Sequence, residues 1–400
     1  QHATRPRSKT DGARGNRRAP SSPPSVRQRK DFAFLEVGEQ IIVGTEFQAY
    51  RLDDWWTASG AMMWPGTFLN INDGQRDRYA VFGEWEAKVN PQWTSLLGLR
   101  HETVRMDVGD VTGYKTALAT APMPGMDVGS QIADAAAFNA LDRDTTDRNW
   151  DLTALARYEP NTTHAYEIGV AQKTRSPNLY ERYTWSTWTM AAVMNNFVGD
   201  GNGYVGDINL KPEVAHTLSF AADWHDARKK AWSVRIAPYY THVRDYIDAA
   251  CNGASCPDDQ FNVLKFVNQS ARLYGVDISG HFVAARTPGY GDFTLSGVVN
   301  YTRGENRDTG DNLYNIMPLN AKLALTQKRG RLTNTLEGQF VAAKNDVSDV
   351  RNEIETAGYS LFNLRSSYEW EQVRLDVGID NLFDKAYAEH ISRAGATVGR

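Results

Sequence analysis

The chain has 400 residues with 44 Lys+Arg against 48 Asp+Glu, a formal net charge of -4, 41% apolar residues and a mean hydropathy of -0.52. No apolar run reaches the ~18 residues of a membrane helix, which excludes a helical membrane protein. The composition excludes wholesale disorder, and the net charge gives no reason to expect a nucleic-acid partner. What stands out is the aromatic load of 11 Trp, 18 Tyr and 15 Phe beside only 2 Cys.

The charge is split along the chain. Residues 1–30 hold nine basic residues against Asp11, a net of +8, so the remainder carries -12. This first stretch, rich in Arg, Ser, Pro, Gly and Ala, has no aromatic residue and cannot bury enough surface to order itself. The expected organisation is a disordered basic leader over 1–34 and one patterned unit over 35–400. There is no apolar core of a secretory signal before Phe32. An Arg/Pro/Ser/Ala-rich stretch is also what GC-rich DNA yields in the wrong reading frame, so 1–30 is not assumed to be native.

From about Gly38 the dominant period is two. In Thr217–His225, Leu218, Phe220, Ala222 and Trp224 share one face, opposite Thr217, Ser219, Asp223 and His225. Trp232–Tyr240, Phe293–Thr302 and Gln372–Asp380 alternate in the same way. The chain predicts about 13 or 14 strands of roughly 9–15 residues, longer than the usual globular strand of about 5–6. Turn-like joins at 159–161, 226–230, 287–291, 330 and 369–372 alternate with long polar ones at 107–148, 174–213, 303–314 and 344–357. That is the pattern of an antiparallel transmembrane β-barrel, with tight turns at one rim and long loops at the other. A soluble β-sandwich, or a β-rich carbohydrate-binding or adhesion module using Trp and Tyr for stacking, is the competing class. Strand length, and charge on alternate residues through a dozen strands, argue against it.

Three segments resemble TonB-dependent outer-membrane receptors: Arg175-Ser176-Pro177-Asn178-Leu179-Tyr180-Glu181-Arg182-Tyr183, Asn209-Leu210-Lys211-Pro212-Glu213, and Val377-Gly378-Ile379-Asp380-Asn381-Leu382-Phe383-Asp384-Lys385-Ala386-Tyr387. Finer likenesses, in Tyr50–Trp56, Asn70–Arg78, Tyr183–Thr187 and Asn195–Tyr204, are to the copper receptors within that family. The resemblance implies a barrel of about 22 strands, so the chain reads as its C-terminal part. The family's TonB box, plug and final strand are not recognisable in it. It also implies residence in the outer membrane, lipid as surroundings, a monomer, no covalently held cofactor and no enzymatic step. Copper is the implied transported substrate, and a plug that this chain does not show would couple it to the TonB-ExbB-ExbD system. A receptor for another metal chelate, such as a ferric siderophore, stays open. With strands missing, the chain alone is expected not to close into a barrel.

Soft thioethers suit copper, and the loop candidates are Met62, Met63, Met123, Met126, Met190 and Met194. The competing role for each is gap-filling. The histidines show no HxxxH or HxH pair, so no zinc or enzyme site is expected from them. Cys251 and Cys256, spaced five apart in a loop, read as a local disulfide rather than metal thiolates, which suits an exported chain. Alternating charges such as Arg100, Arg157, Glu167, Asp223, Arg235, Arg365 and Asp376 are expected on the wet inner face.

Overall fold

The computed structural model describes residues 39–58, 66–114, 130–253, 256–257 and 261–392, together with the backbone of 25–32. Fourteen strands pair in chain order in one antiparallel sheet: β1 (Ser25–Phe32), β2 (Glu39–Thr57), β3 (Thr67–Asn90), β4 (Trp93–Asp107), β5 (Thr145–Asn161), β6 (His164–Arg175), β8 (Glu213–His225), β9 (Trp232–Cys251), β10 (Val263–Thr287), β11 (Gly291–Asn306), β12 (Asn320–Arg329), β13 (Leu332–Val341), β14 (Tyr359–Glu369) and β15 (Arg374–Ile379). The joins carry α1 (Ser130–Asn139), α2 (Leu179–Tyr183), α3 (Thr189–Met194) and β7 (Gly203–Val205), which pairs in parallel with β10. Among the described residues no pair joins β15 to β1.

The two-residue period in the sequence becomes two chemically distinct faces. Leu97, Ala154, Val170, Leu218 and Tyr240 lie in one row across β4, β5, β6, β8 and β9. Leu97, Val170, Leu218 and Tyr240 are each about half exposed, and Val81, Phe220, Leu295, Leu325 and Leu375 continue the exposed apolar belt. A belt of this extent exceeds what a soluble monomer leaves in water, and it suits the hydrocarbon face of a barrel. The next row, Gly98, Thr153, Ala171, Thr217 and Thr241, points inward. Here the Thr217 and Thr241 hydroxyls hydrogen-bond at 2.8 Å. Ion pairs line the same inner face, including Glu46–Arg100 at 3.1 Å, Arg100–Glu102 at 2.9 Å, Arg235–Glu167 at 2.9 Å and Lys322–Glu337 at 3.6 Å. Gly275 is required inside because a Cβ there would sit 2.2 Å from Tyr301 O, with the Tyr239 ring laid across it.

The joins sort by end. Tight ones at 91–92, 162–163, 226–231, 288–290, 330–331 and 370–373 share one end; 58–66, 108–144, 176–212, 252–262, 307–319 and 342–358 share the other. The joins 58–66 and 252–262 are additions to the long set read from the sequence. Aromatic rings crowd the tight-turn end, where Trp93 stacks on Tyr158 at 4.6 Å and Trp224 Nε1 donates to the Tyr166 hydroxyl at 3.2 Å. Such amphipathic rings suit the boundary between lipid and water.

β1 falls inside the stretch 1–34 that composition reads as a disordered leader. Its backbone pairs with β2 from Ser25↔Gln48 to Phe32↔Ile41. Pairing there satisfies main-chain donors and acceptors, and composition does not report on that. Residues 1–24 lie outside the described residues.

The two faces predict opposite tolerances. Val170→Arg, on the outward face, should cost about 2–4 kcal/mol in lipid, whereas Ala171→Arg, its inward neighbour, should cost clearly less. Denaturant unfolding in bilayers measures both, and equal costs would contradict the assignment of faces.

Candidate functional site

The long-loop end is where the chain folds back over the lumen. After β6, Ser176 and Pro177 lead into α2, whose first turn is a reciprocal cap: Glu181 N donates to Asn178 Oδ1 at 2.9 Å and Asn178 N donates to Glu181 Oε2 at 2.8 Å. Arg175 Nη1 reaches the same Glu181 carboxylate at 2.9 Å, and Arg175 Nε and Nη2 grip Glu213 at 2.7 and 2.8 Å. Glu213 also accepts Ile247 N at 2.8 Å. Lys211 is clamped through its backbone, N to Asn268 Oδ1 at 2.8 Å and O from Asn268 Nδ2 at 3.0 Å, with Pro212 between these two anchors. The first two sequence motifs therefore meet in one three-residue ionic knot. The third does not join them. Asn381, at φ 52°, accepts Lys385 N at 2.9 Å and donates its own N to Asn363 Oδ1 at 2.9 Å. Leu382 N bonds Phe362 O, and the Phe383 ring meets Phe362 edge-on at 5.5 Å.

Two arginines, Arg182 from the first motif and Arg351, which the sequence did not single out, carry the most buried contacts. Arg182, 3% exposed, donates to Asp147 Oδ1 at 2.9 Å, Thr145 Oγ1 at 2.9 Å and Leu210 O at 2.7 Å. Arg351, 5% exposed, pairs with Asp248 at 3.0 Å and lies over the Tyr204 and Tyr314 rings at 5.4 and 5.2 Å. Its other nitrogen donates to the Tyr204 hydroxyl, which donates in turn to Asp200. The join 342–358 is thus tied to the α3–β7 segment. Burial pushes the Tyr204 phenol well above its ordinary range, against the pull of the Arg351 charge. Beside these ions an apolar cluster of Trp56, Phe68, Tyr114, Tyr183 and Trp185 fills the mouth. Phe68 stacks on Trp56 at 4.8 Å and on Trp185 at 4.9 Å. Tyr180 reaches the buried Asp54 at 3.2 Å, where Asn70 also donates at 2.8 Å.

Met190 and Met194 sit one turn apart on α3, 51% and 39% exposed. Met62, Met63, Met123 and Met126 lie outside the described residues. Among the described residues no three His, Cys, Asp or Glu side chains gather as a metal site. Cys251 and Cys256 are bonded to each other, with Cα atoms 5.6 Å apart.

Two measurements test this mouth. Arg182→Ala would strand buried Asp147, whose Oδ2 has no partner of its own. The expected loss is about 3–5 kcal/mol, the range for breaking a buried pair from one side, with faster limited proteolysis between 184 and 213. Burial holds the Tyr183 phenol up at about 12, against about 10 for an exposed tyrosine. Its contribution to stability is complete below pH ~10 and is lost as pH rises through about 12. Phenolate absorbance should lose a late-titrating component in Tyr183→Phe.

The TonB dependent receptor-like, beta-barrel family model matches residues 5–382. The chain is 26% identical over 234 residues to heme/hemopexin utilization protein C of Haemophilus influenzae, a match over 53% of this chain and 31% of that protein. Among solved structures, the copper transporter OprC superposes with a TM-score of 0.68 at 18% identity, over 93% of this chain and 52% of that one. The FrpB iron transporter from Neisseria meningitidis gives 0.60 at 12% identity, over 94% and 54%. The siderophore receptor PirA from Acinetobacter baumannii gives 0.60 at 15% identity, over 94% and 53%. The chain spans about a third of the curated relatives it matches and about half of these solved structures. With the family match covering nearly the whole patterned chain, and the apolar belt facing outward, the chain belongs to the TonB-dependent receptor β-barrel family and to the outer membrane.

Proposed function

We propose that the chain forms the wall and outer mouth of a TonB-dependent receptor that takes up a metal cargo, and that the cargo is copper. The observation that carries the copper reading is the pair of exposed thioethers on α3, Met190 and Met194, one helical turn apart at the loop end. Thioether sulfur is a soft donor that suits Cu(I), whereas a hard Fe(III) prefers oxygen donors. The buried ion pairs of Arg182 and Arg351 hold the segments on either side of α3. The wall supplies recognition without covalent chemistry. Energy for release into the lumen comes from the TonB-ExbB-ExbD system acting through a plug. A haem or ferric-chelate cargo is the second reading, favoured by the name of the Haemophilus influenzae relative.

A strain lacking the locus decides between them. Restoring it should raise copper accumulation several-fold, and Met190→Leu combined with Met194→Leu should remove at least half of that gain. Restored growth on haem or a ferric siderophore, with copper accumulation unchanged, would replace the first reading by the second.

A further inference from the structure

Spacing along the chain gives no histidine pair, but the sheet makes one. His216 on β8 and His242 on β9 are directly opposite in the antiparallel register. Residues so placed bring their Cβ atoms to about 4.5–5.5 Å on one face. Both side chains are exposed and point outward, in the same alternation as Leu218 and Tyr240 on the belt. Among the described residues neither imidazole hydrogen-bonds a protein group.

Their surroundings give the pair a defined place. One step toward the tight turns the belt begins with Leu218 and Tyr240; one step toward the loops come Val214 and exposed Arg244. On these two strands the rings therefore stand at the loop-side edge of the apolar belt. They also border an apolar depression of about 1190 Å³ on the sheet, which Leu99, Leu218 and Tyr240 line. On the far side of His242 the next strand places Arg272, whose charge is taken up by Glu305 at 2.6 Å. A cation at the histidines is thus not opposed by Arg272, whose charge is already paired, and exposed Arg244 is the one guanidinium beside the pair without a carboxylate partner among the described residues.

We propose that His216 and His242 form a two-imidazole site for a borderline divalent transition-metal ion, such as Cu(II), on the outward face of the barrel. Imidazole nitrogen is the protein donor that suits Cu(II), Ni(II) and Zn(II) alike. With two rings fixed on adjacent paired strands, the second ligation is intramolecular and needs no change of fold. Water fills the remaining positions. The site lies on the barrel exterior, separate from the mouth that carries Met190 and Met194, and it does not rest on the choice of cargo.

The test is a Cu(II) titration of the full chain folded in detergent, read by electron paramagnetic resonance. One ion per chain with a two-nitrogen signature is expected. His216→Gln and His242→Gln should each weaken that ion at least about tenfold, and His101→Gln should leave it in place. His101 is the matched control: it also faces outward, alone, with its ring 4.5 Å from Trp150. An unchanged spectrum in the His216→Gln/His242→Gln double variant, or equal loss in His101→Gln, would overturn the site.

Discussion

Every backbone N–H and C=O that crosses hydrocarbon must find its partner on a neighbouring strand, because lipid offers none. This constraint organises the rest of the molecule. It makes the strands long, up to the 25 residues of β10, and puts them in one continuous antiparallel sheet. Side chains are then left to alternate freely, since pairing is done by the main chain. Leucine, valine and phenylalanine take the outward rows, and threonine, arginine and glutamate take the inward ones. The same separation explains a chain that is rich in aromatics yet low in mean hydropathy: only one residue in two has to be apolar.

The loop end obeys a different rule. There the chain leaves the sheet, and its backbone and ions have to be satisfied by other loops. Arg175, Arg182 and Arg351 do this by reaching segments distant in sequence. The buried pairs of Arg182 and Arg351 add little net stability against an apolar alternative, but removing one partner is expensive. They are better understood as fixing one arrangement of the mouth among several that the loops could adopt. The outer side of α3, carrying Met190 and Met194, stands out against that fixed frame.

Much of this was legible in the sequence, and the limits follow from geometry. Period two gave the faces, turn residues gave the rims, and Arg175-Ser176-Pro177-Asn178 with Lys211-Pro212-Glu213 marked the strand ends that became the ionic knot. The pairing of Arg175 with Glu213 was not readable, because it is made 38 residues apart by β6 lying beside β8. Arg351 gave no signal at all: an arginine in a polar loop looks the same whether it ends in water or over two tyrosines. β1 escaped for the opposite reason, since its pairing is a main-chain event that leaves no trace in composition.

The histidines are where that difference matters most. Spacing rules such as HxxxH describe rings brought together by one helix or one strand. In a sheet of paired strands the relevant neighbour lies across the ladder, here 26 residues away. Register decides whether two such residues meet, and register is set by the whole belt. A slip of one residue between β8 and β9 would turn one strand's apolar set toward the lumen. The hydrocarbon requirement that keeps Leu218 beside Tyr240 therefore also keeps His216 beside His242. The pair is held by the energetics of the belt beneath it, not by any contact of its own.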